Sequence, residues 1–483
     1  MPMNSLSTER IDAFPYSHRL TDVMGSPVVD ATGATTLADA ATRMRSAKVS
    51  SLLLLDSEGR PDAIFTEHDL LAAIVERGAA ALGDSIDRHA TRPVAQLPAD
   101  AFVFRALGRM DRLGIKHLAV VDPETGHAVG VVSARGLLKL RAGQALAIGD
   151  SIATAENGRE LAIAQAKLPA LAGALVMEGI DAQNIAAMIS AVVRDVSARA
   201  AELAAGSLAA DGKPAPARWC YLVLGSAGRG ESQLIPDQDN ALVHDGAEAD
   251  DAWFAELGAR ASDILATAGI PYCKGKVMAS NGVWRGNVAQ WRRRIDGWIE
   301  TPSPEDLLSV DIFYDFQPVF GERSLADALR DCATQAGMSR PFLIALSHEL
   351  ADTNAALGFF GGLKTEQGRI DLKRHGLFPI TAGARLLALA LGERATSTIV
   401  RLRSAQAAGI ITAADTETLE RAQAIFLARI LEQQSLDTAA GLAPSVRVEV
   451  GRLSPEQRRE LKEALRHVAL VGPVVKNALT AGG

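Results

Sequence analysis

The stretch GSAGRGESQLIPDQDNALV, residues 225–243, sets a glycine-rich turn a short distance ahead of Asp237 and Asp239. Gly225 lets a backbone approach a phosphate closely, and the Ser226 hydroxyl and neighbouring amides can donate to it. The preceding WCYLVL (219–224) reads as a buried strand and DQDNALV as a second, with AGRGESQL long enough for one short helix between them. Strand side chains alternate faces, so Asp237 and Asp239 point one way while Gln238 and Asn240 point the other. Two such carboxylates repel unless a cation neutralises them. Mg2+, which prefers carboxylate oxygens and keeps positions open for phosphates, is the natural ion. Cradle and metal site would then serve one nucleoside triphosphate. The same letters also suit an acidic surface hairpin in which Arg229 merely neutralises Glu231 or Asp237.

These residues sit in a chain of 483, long enough for roughly three domains. An apolar fraction of 48%, 5% aromatic residues and 42 glycines describe a helix-rich protein with packed cores and many tight turns. Lys+Arg of 50 against Asp+Glu of 57 gives −7, which argues against a chain built to coat nucleic acid or an anionic membrane. Cys220, Cys273 and Cys332 are too scattered for a disulfide framework or a zinc knuckle. The first twenty residues lack a signal-peptide core, and the best apolar run, ITAGARLLALALG, is short and carries Arg385. A soluble, cytoplasmic protein is expected.

An internal repeat lies near the N-terminus. Pro27-Val28 recurs as Pro93-Val94, Met44 as Met110 and Asp56 as Asp122, and after one inserted residue Thr66 matches Ser133 and Leu70 matches Leu137. Each copy reads as a proline turn, a helix, an apolar strand, a polar turn, a second strand and a helix. Short unbroken apolar strands need cover on both faces, so the copies should pack as one unit. Residues 144–207 are alanine-rich with helical periodicity and read as a connector of two or three helices, ended by DGKPAPAR. From about 336 the pattern is helical again, with Leu419, Ala422, Phe426 and Ile430 on one face. Trp284, Trp291 and Trp298, spaced by seven, read as a packing stripe.

The repeat resembles a tandem pair of CBS domains over residues 17–143. In that family a hydroxyl residue, followed three positions later by an aspartate on the ribose of an adenine nucleotide, marks the strand-to-helix turn. IFTEHD supplies Thr66 and Asp69, whereas VVSARG keeps Ser133 but has Gly136 in place of the acid. The resemblance implies one good AMP or ATP site. Thr66 and Asp69 equally suit a helix N-cap and a first-turn acid.

The glycine turn and DxD together resemble the polymerase-beta-type nucleotidyltransferase superfamily. More closely, they resemble the CBS-linked relatives of the bacterial uridylyltransferase that acts on PII signalling proteins, a likeness continued in VMASN (277–281), residues 291–321 and IDLKRHGLFPITAGARLLAL (370–389). That superfamily uses a third acid from a later strand. In DIFYDFQPV, Asp311 and Asp315 share strand parity, and the family's FYDF element favours Asp315, with Asp311 as fallback. By this resemblance Asp237, Asp239 and Asp315 hold magnesium and are catalytic, Gly225, Ser226 and Arg229 steady the phosphates, and Lys373 and Arg374 add phosphate contacts. A solvated turn explains the last two as well.

The expected architecture is therefore α/β and multidomain: an N-terminal tail (1–16), a CBS pair (17–143), a helical connector (144–207), a nucleotidyltransferase α/β domain (208–335) and a C-terminal all-α bundle (336–483). The expected function is magnesium-dependent nucleotidyl transfer from an NTP to an unknown acceptor, with a protein among the candidates, regulated through the CBS pair and carried out by a homodimer formed through it. A non-catalytic nucleotide sensor in signal transduction is the rival. A phosphohydrolase ranks last, because the chain lacks the paired His-Asp motif such chemistry needs. Neither nucleic acid nor a membrane is an expected partner.

Overall fold

The computed structural model describes residues 18–300, 312–351, 356–358 and 362–481, which fall into two compact units divided between Leu146 and Ala147. In the first unit each repeat builds a three-stranded sheet. β1 (Asp30–Ala31) pairs parallel to β2 (Ser51–Leu55), which pairs antiparallel to β3 (Pro61–Thr66). β4 (Gln96–Pro98), β5 (His117–Val121) and β6 (Ala128–Ser133) repeat that order. The short β1 and β4 carry too few residues for a periodicity to announce them.

The repeats interlock. Residues ahead of the first copy dock on the second, through Leu20 N to Ala101 O (2.8 Å) and Gly25 N to Val131 O (2.9 Å). Residues ahead of the second dock on the first, through Leu37 N to Asp84 O (2.9 Å) and Thr91 N to Ile64 O (2.8 Å). Leu53, Ile64, Val94 and Ala119 form the buried seam between them. Neither copy could close its core alone, as its two-faced apolar strands require.

The second unit holds the sheet β10-β7-β8-β9. β7 (Trp219–Val223) runs antiparallel to β8 (Asn240–His244) and to β10 (Gln317–Gly321), and β9 (Arg285–Asn287) runs parallel to β8. Strand alternation divides its cover: Cys220, Leu222, Ala241 and Val243 join one core, while Trp219, Tyr221 and Leu242 face Ala201, Leu208 and Phe254. A small pair, β11 (Arg369–Asp371) with β12 (Arg447–Glu449), stands apart.

The connector does not form a separate body. Its helices Gly158–Gln165, Leu168–Met177 and Ala182–Ala210 share one hydrophobic core with the sheet and with the C-terminal helices, from Ile148 to Leu479. Gly158–Met177 is also the one stretch among the described residues long and apolar enough by composition to cross a membrane. Here it is two helices whose Leu161, Ala164, Leu168 and Leu171 are buried in that core. Trp284, Trp291 and Trp298 cluster with Phe313, as a packing stripe should, although Trp284 lies in a turn before the helix Val288–Glu300. Leu419, Ala422, Phe426 and Ile430 are buried together on Ala413–Ala439.

Candidate active site

β7 ends at Val223 and the chain turns at once into the short helix Gly225–Arg229. Leu224 N donates to Asp239 O at 2.8 Å, extending the β7–β8 ladder by one rung and bringing Asp239 level with Gly225. Gly225 has φ +58°, and a Cβ there would lie 2.6 Å from Asp239 Oδ2. Glycine is required twice over, by backbone hand and by space. The Ser226 hydroxyl is half-buried and bonds to no described residue.

Asp237, Gln238 and Asp239 precede β8 instead of belonging to it, yet the alternation holds. Gln238 Nε2 donates to Ser262 O (2.9 Å) and Ile270 O (2.8 Å), and Asn240 Oδ1 accepts from Ala279 N (2.8 Å), all on the far side. Asp237 is exposed and Asp239 half-buried on the near side. Burial raises the Asp239 carboxyl above its ordinary value; the Cys273 thiol donates to it and pulls the other way, the Asp237 charge adds to the rise, and Lys373 and Arg229 oppose it. Lys373, from the C-terminal region, is thus near enough for its charge to act on Asp239.

Asp315 does not join that pair. DIFYDFQPV is not one strand: Asp315 sits in a turn before β10, and Asp311 lies outside the described residues. The Asp315 side chain is fully buried and taken up by three guanidiniums, Arg229 Nη1 (2.6 Å), Arg385 Nη2 (2.6 Å) and Arg401 Nη1 (2.7 Å). Burial alone would push its carboxyl up, yet Arg385, Arg401 and Arg229 hold it well below the usual carboxylate range. A carboxylate so engaged offers no oxygen to a cation, and among the described residues no group of three His, Cys, Asp or Glu could hold a metal. The expected grouping of three acids is thus corrected: Asp237 and Asp239 stand together, and Asp315 is engaged by arginines instead.

Two of the expected phosphate contacts have surroundings of their own. Arg229 spends its guanidinium on Asp315 and on Glu231 Oε2 (2.9 Å). Arg374 lines a cavity beside β11 that Lys373 does not line. Lys276, in the CKGKVMASN loop, is exposed with φ +58°, a conformation that costs a lysine more than a glycine.

Sequence reasoning missed the residues that grip the glycine turn. Arg194 Nη1 donates to Ala227 O (2.8 Å) and Ser190 Oγ accepts from Ser232 N (2.8 Å), both from the connector helix. Thr396 Oγ1 donates to Gly228 O (2.9 Å), Thr398 N to Glu231 Oε1 (2.8 Å), and Leu234 N to Gln434 Oε1 (3.0 Å). One signal was available: Arg385 in an otherwise apolar helix demands a buried anion. Nothing local marks the others.

The acid pair fits magnesium in the way that ion is commonly held, by one or two carboxylates with phosphates and water completing the shell. A desolvated Asp239 next to Asp237 gains from a cation, and Gly225 leaves the space beside it free of side chain.

In the first unit, Thr66 and Asp69 form a reciprocal cap: Asp69 Oδ2 accepts from Thr66 N and Oγ1 (2.8 Å each), and Asp69 N donates to Thr66 Oγ1 (3.3 Å). Ser133 Oγ accepts from Gly136 N (3.0 Å), the equivalent cap without an acid. His117, bonded to Ser50 across the repeats at 2.8 Å, lies within electrostatic reach of Asp69. The nucleotide residues of the resemblance thus also serve as helix caps.

This arrangement defines a CBS pair followed by a nucleotidyltransferase-type α/β domain and a helical C-terminus. Residues 20–76 and 85–143 match the CBS domain model, 166–305 the model described as "Putative nucleotidyltransferase DUF294", and 340–476 the "Putative nucleotidyltransferase substrate binding domain". An uncharacterized 17.7 kDa protein from the bps2 3' region of Acidianus ambivalens is 31% identical over 104 residues, 22% of this chain and 61% of that protein. The chain thus spans about three-fifths of that relative's length. Among solved structures, CBS domain protein PAE2072 from Pyrobaculum aerophilum, in complex with AMP, is 27% identical over 26% of this chain and 99% of its own, with TM-score 0.23. The CBS-domain protein ATU1752 from Agrobacterium tumefaciens is 26% identical over 25% of this chain and 94% of its own, with TM-score 0.23.

Proposed function

We propose that the second unit is a nucleotidyltransferase that uses an NTP, with Asp237 and Asp239 holding magnesium, and that an adenine nucleotide in the CBS pair regulates it. The observation that carries the reading is the seating of Asp239 on Gly225 beside Asp237, with burial raising the Asp239 carboxyl above its ordinary value. Bound magnesium would supply neutralisation of the triphosphate. Ser226 and the first amides of Gly225–Arg229, which have no acceptor within their own helix, bind phosphate oxygens. Lys373, whose charge acts on Asp239, adds positive charge. The acceptor oxygen bonds to the α-phosphorus as the bond to pyrophosphate breaks; the electron pair leaves with pyrophosphate and the hydroxyl proton passes to water.

In the first unit, Asp69 uses only Oδ2 in its cap, so Oδ1 remains for the ribose of AMP or ATP. Exposed Leu71 and Val75 on Glu67–Arg77 give the pair an apolar face for a homodimer. The withdrawal of Asp315 favours one second reading, a nucleotide sensor without turnover.

The experiment is pyrophosphate release and thermal shift across the four NTPs with and without magnesium. Wild type should show a magnesium-dependent stabilisation by NTP, and the Asp237→Asn/Asp239→Asn chain should lose it. Binding of Mg·NTP without pyrophosphate release on any acceptor selects the sensor; no magnesium-dependent binding removes both readings.

A further inference from the structure

β11, β12 and the π-helical turn Lys373–Leu377 border a cavity of about 280 Å3. Lys364, Arg369, Arg374 and Arg447 line it against Glu366 and Asp371, four cations to two carboxylates and so a surplus of two positive charges. Two cations are partly spent, Arg447 on Glu366 and Arg369 on Glu449 (3.4 Å), the latter pair directly opposed in the β11–β12 register. Lys364 and Arg374 form no ion pair among the described residues, and Asp371 uses Oδ1 on the Arg374 backbone amide (2.9 Å). Arg447 Nε is buried with no hydrogen-bond partner. A buried donor without a partner carries a cost that an anion in the cavity would relieve.

The surplus matches a dianion, and guanidiniums in this number are the usual cradle for phosphate oxygens. A volume just under the usual range for ligand pockets admits a phosphate with a few carbons. Position adds to charge. Lys373 bears on Asp239, while the next two residues of the same turn, Arg374 and His375, line the cavity. The turn is held firmly: a Cβ on Gly376 would meet the Phe426 ring at 2.8 Å, so only glycine lets that ring close on it.

We propose that this cavity takes the phosphate of a small phosphorylated acceptor, whose free hydroxyl is presented past Lys373 to the Asp237–Asp239 pair. The inference rests on the transferase reading for the word acceptor, whereas the phosphate site itself does not. The test uses the full chain, with thermal shift titrated by inorganic phosphate, glycerol 3-phosphate and malonate in the absence of magnesium. Phosphate and glycerol 3-phosphate should stabilise wild type saturably and more tightly than malonate. Lys364→Gln/Arg374→Gln, both exposed residues whose loss spares the fold, should weaken that binding at least tenfold and leave the Mg·NTP shift intact. Asp237→Asn/Asp239→Asn should do the reverse. Absence of saturable phosphate binding, equal binding by the Lys364→Gln/Arg374→Gln chain, or a preference for malonate would overturn the proposal. Loss of the Mg·NTP response alone would instead count against the transferase reading.

Discussion

Asp239 and Cys273 form a contact that no motif announces and that reports on the acid pair directly. The thiol donates to the carboxylate, and burial together with the Asp239 charge pushes it up to about 11. A thiol raised this far stays protonated at neutral pH, so it is a poor nucleophile and a good donor. Alkylation of Cys273 by iodoacetamide, followed by peptide mass spectrometry, should therefore rise with a midpoint far on the alkaline side of a free thiol. Asp239→Asn removes the negative neighbour, and the midpoint should fall. Cys220, pushed up to about 12 by burial within β7, serves as the internal reference and should not respond to that substitution. A Cys273 midpoint that is ordinary in wild type, or unchanged in Asp239→Asn, would mean that the two side chains do not meet.

At the scale of elements, the legible and the illegible parts of the site differ in range. Gly225, Ser226, Asp237 and Asp239 follow from strand alternation and a turn that needs positive φ, both local properties, and the structure brings them together. Both repeats of the first unit were legible because their landmarks recur 66 positions apart and, after one inserted residue, 67. Asp315 was misplaced because its role is set by residues 70 and 86 positions further on, Arg385 and Arg401, and no window spans them. Instead of binding metal, Asp315 ties the turn before β10 to the helices Phe378–Ala390 and Thr398–Ala407, with Arg229 carrying the tie to the glycine turn. Close packing reinforces it, since a Cβ on Gly228 would fall 1.9 Å from Asp315 O. Asp315→Asn leaves buried guanidiniums without their counterion and should cost about 3–5 kcal/mol in chemical denaturation. The sign of its pH dependence follows from a folded value below the reference 3.8: the stabilisation is complete at neutral pH and is lost as pH falls through the folded value. The gap between wild type and Asp315→Asn should accordingly shrink below about pH 4. A variant as stable as wild type, yet unable to bind Mg·NTP, would return Asp315 to the metal site.

For the whole molecule, the structure divides once, at Leu146/Ala147, where the sequence reading has four parts after a short N-terminal tail. The first unit closes its cores with its own residues, and the core from Ile148 to Leu479 draws on connector, sheet and C-terminal helices alike. Cooperativity follows shared core, so the full chain should unfold in two calorimetric transitions, not three or four. Each regulatory claim then has its own transition. AMP at a hundredfold excess over its dissociation constant should stabilise the first unit by about 2.7 kcal/mol, and Asp69→Ala should abolish that gain while leaving the larger transition where it was. Mg·NTP should move the larger transition. If AMP also shifts the second transition, and Asp69→Ala removes that shift too, the units are coupled, and the coupling must work in both directions: Mg·NTP must then tighten or weaken AMP by the same factor. A single transition, or an AMP shift insensitive to Asp69→Ala, would contradict this assignment of sites to units.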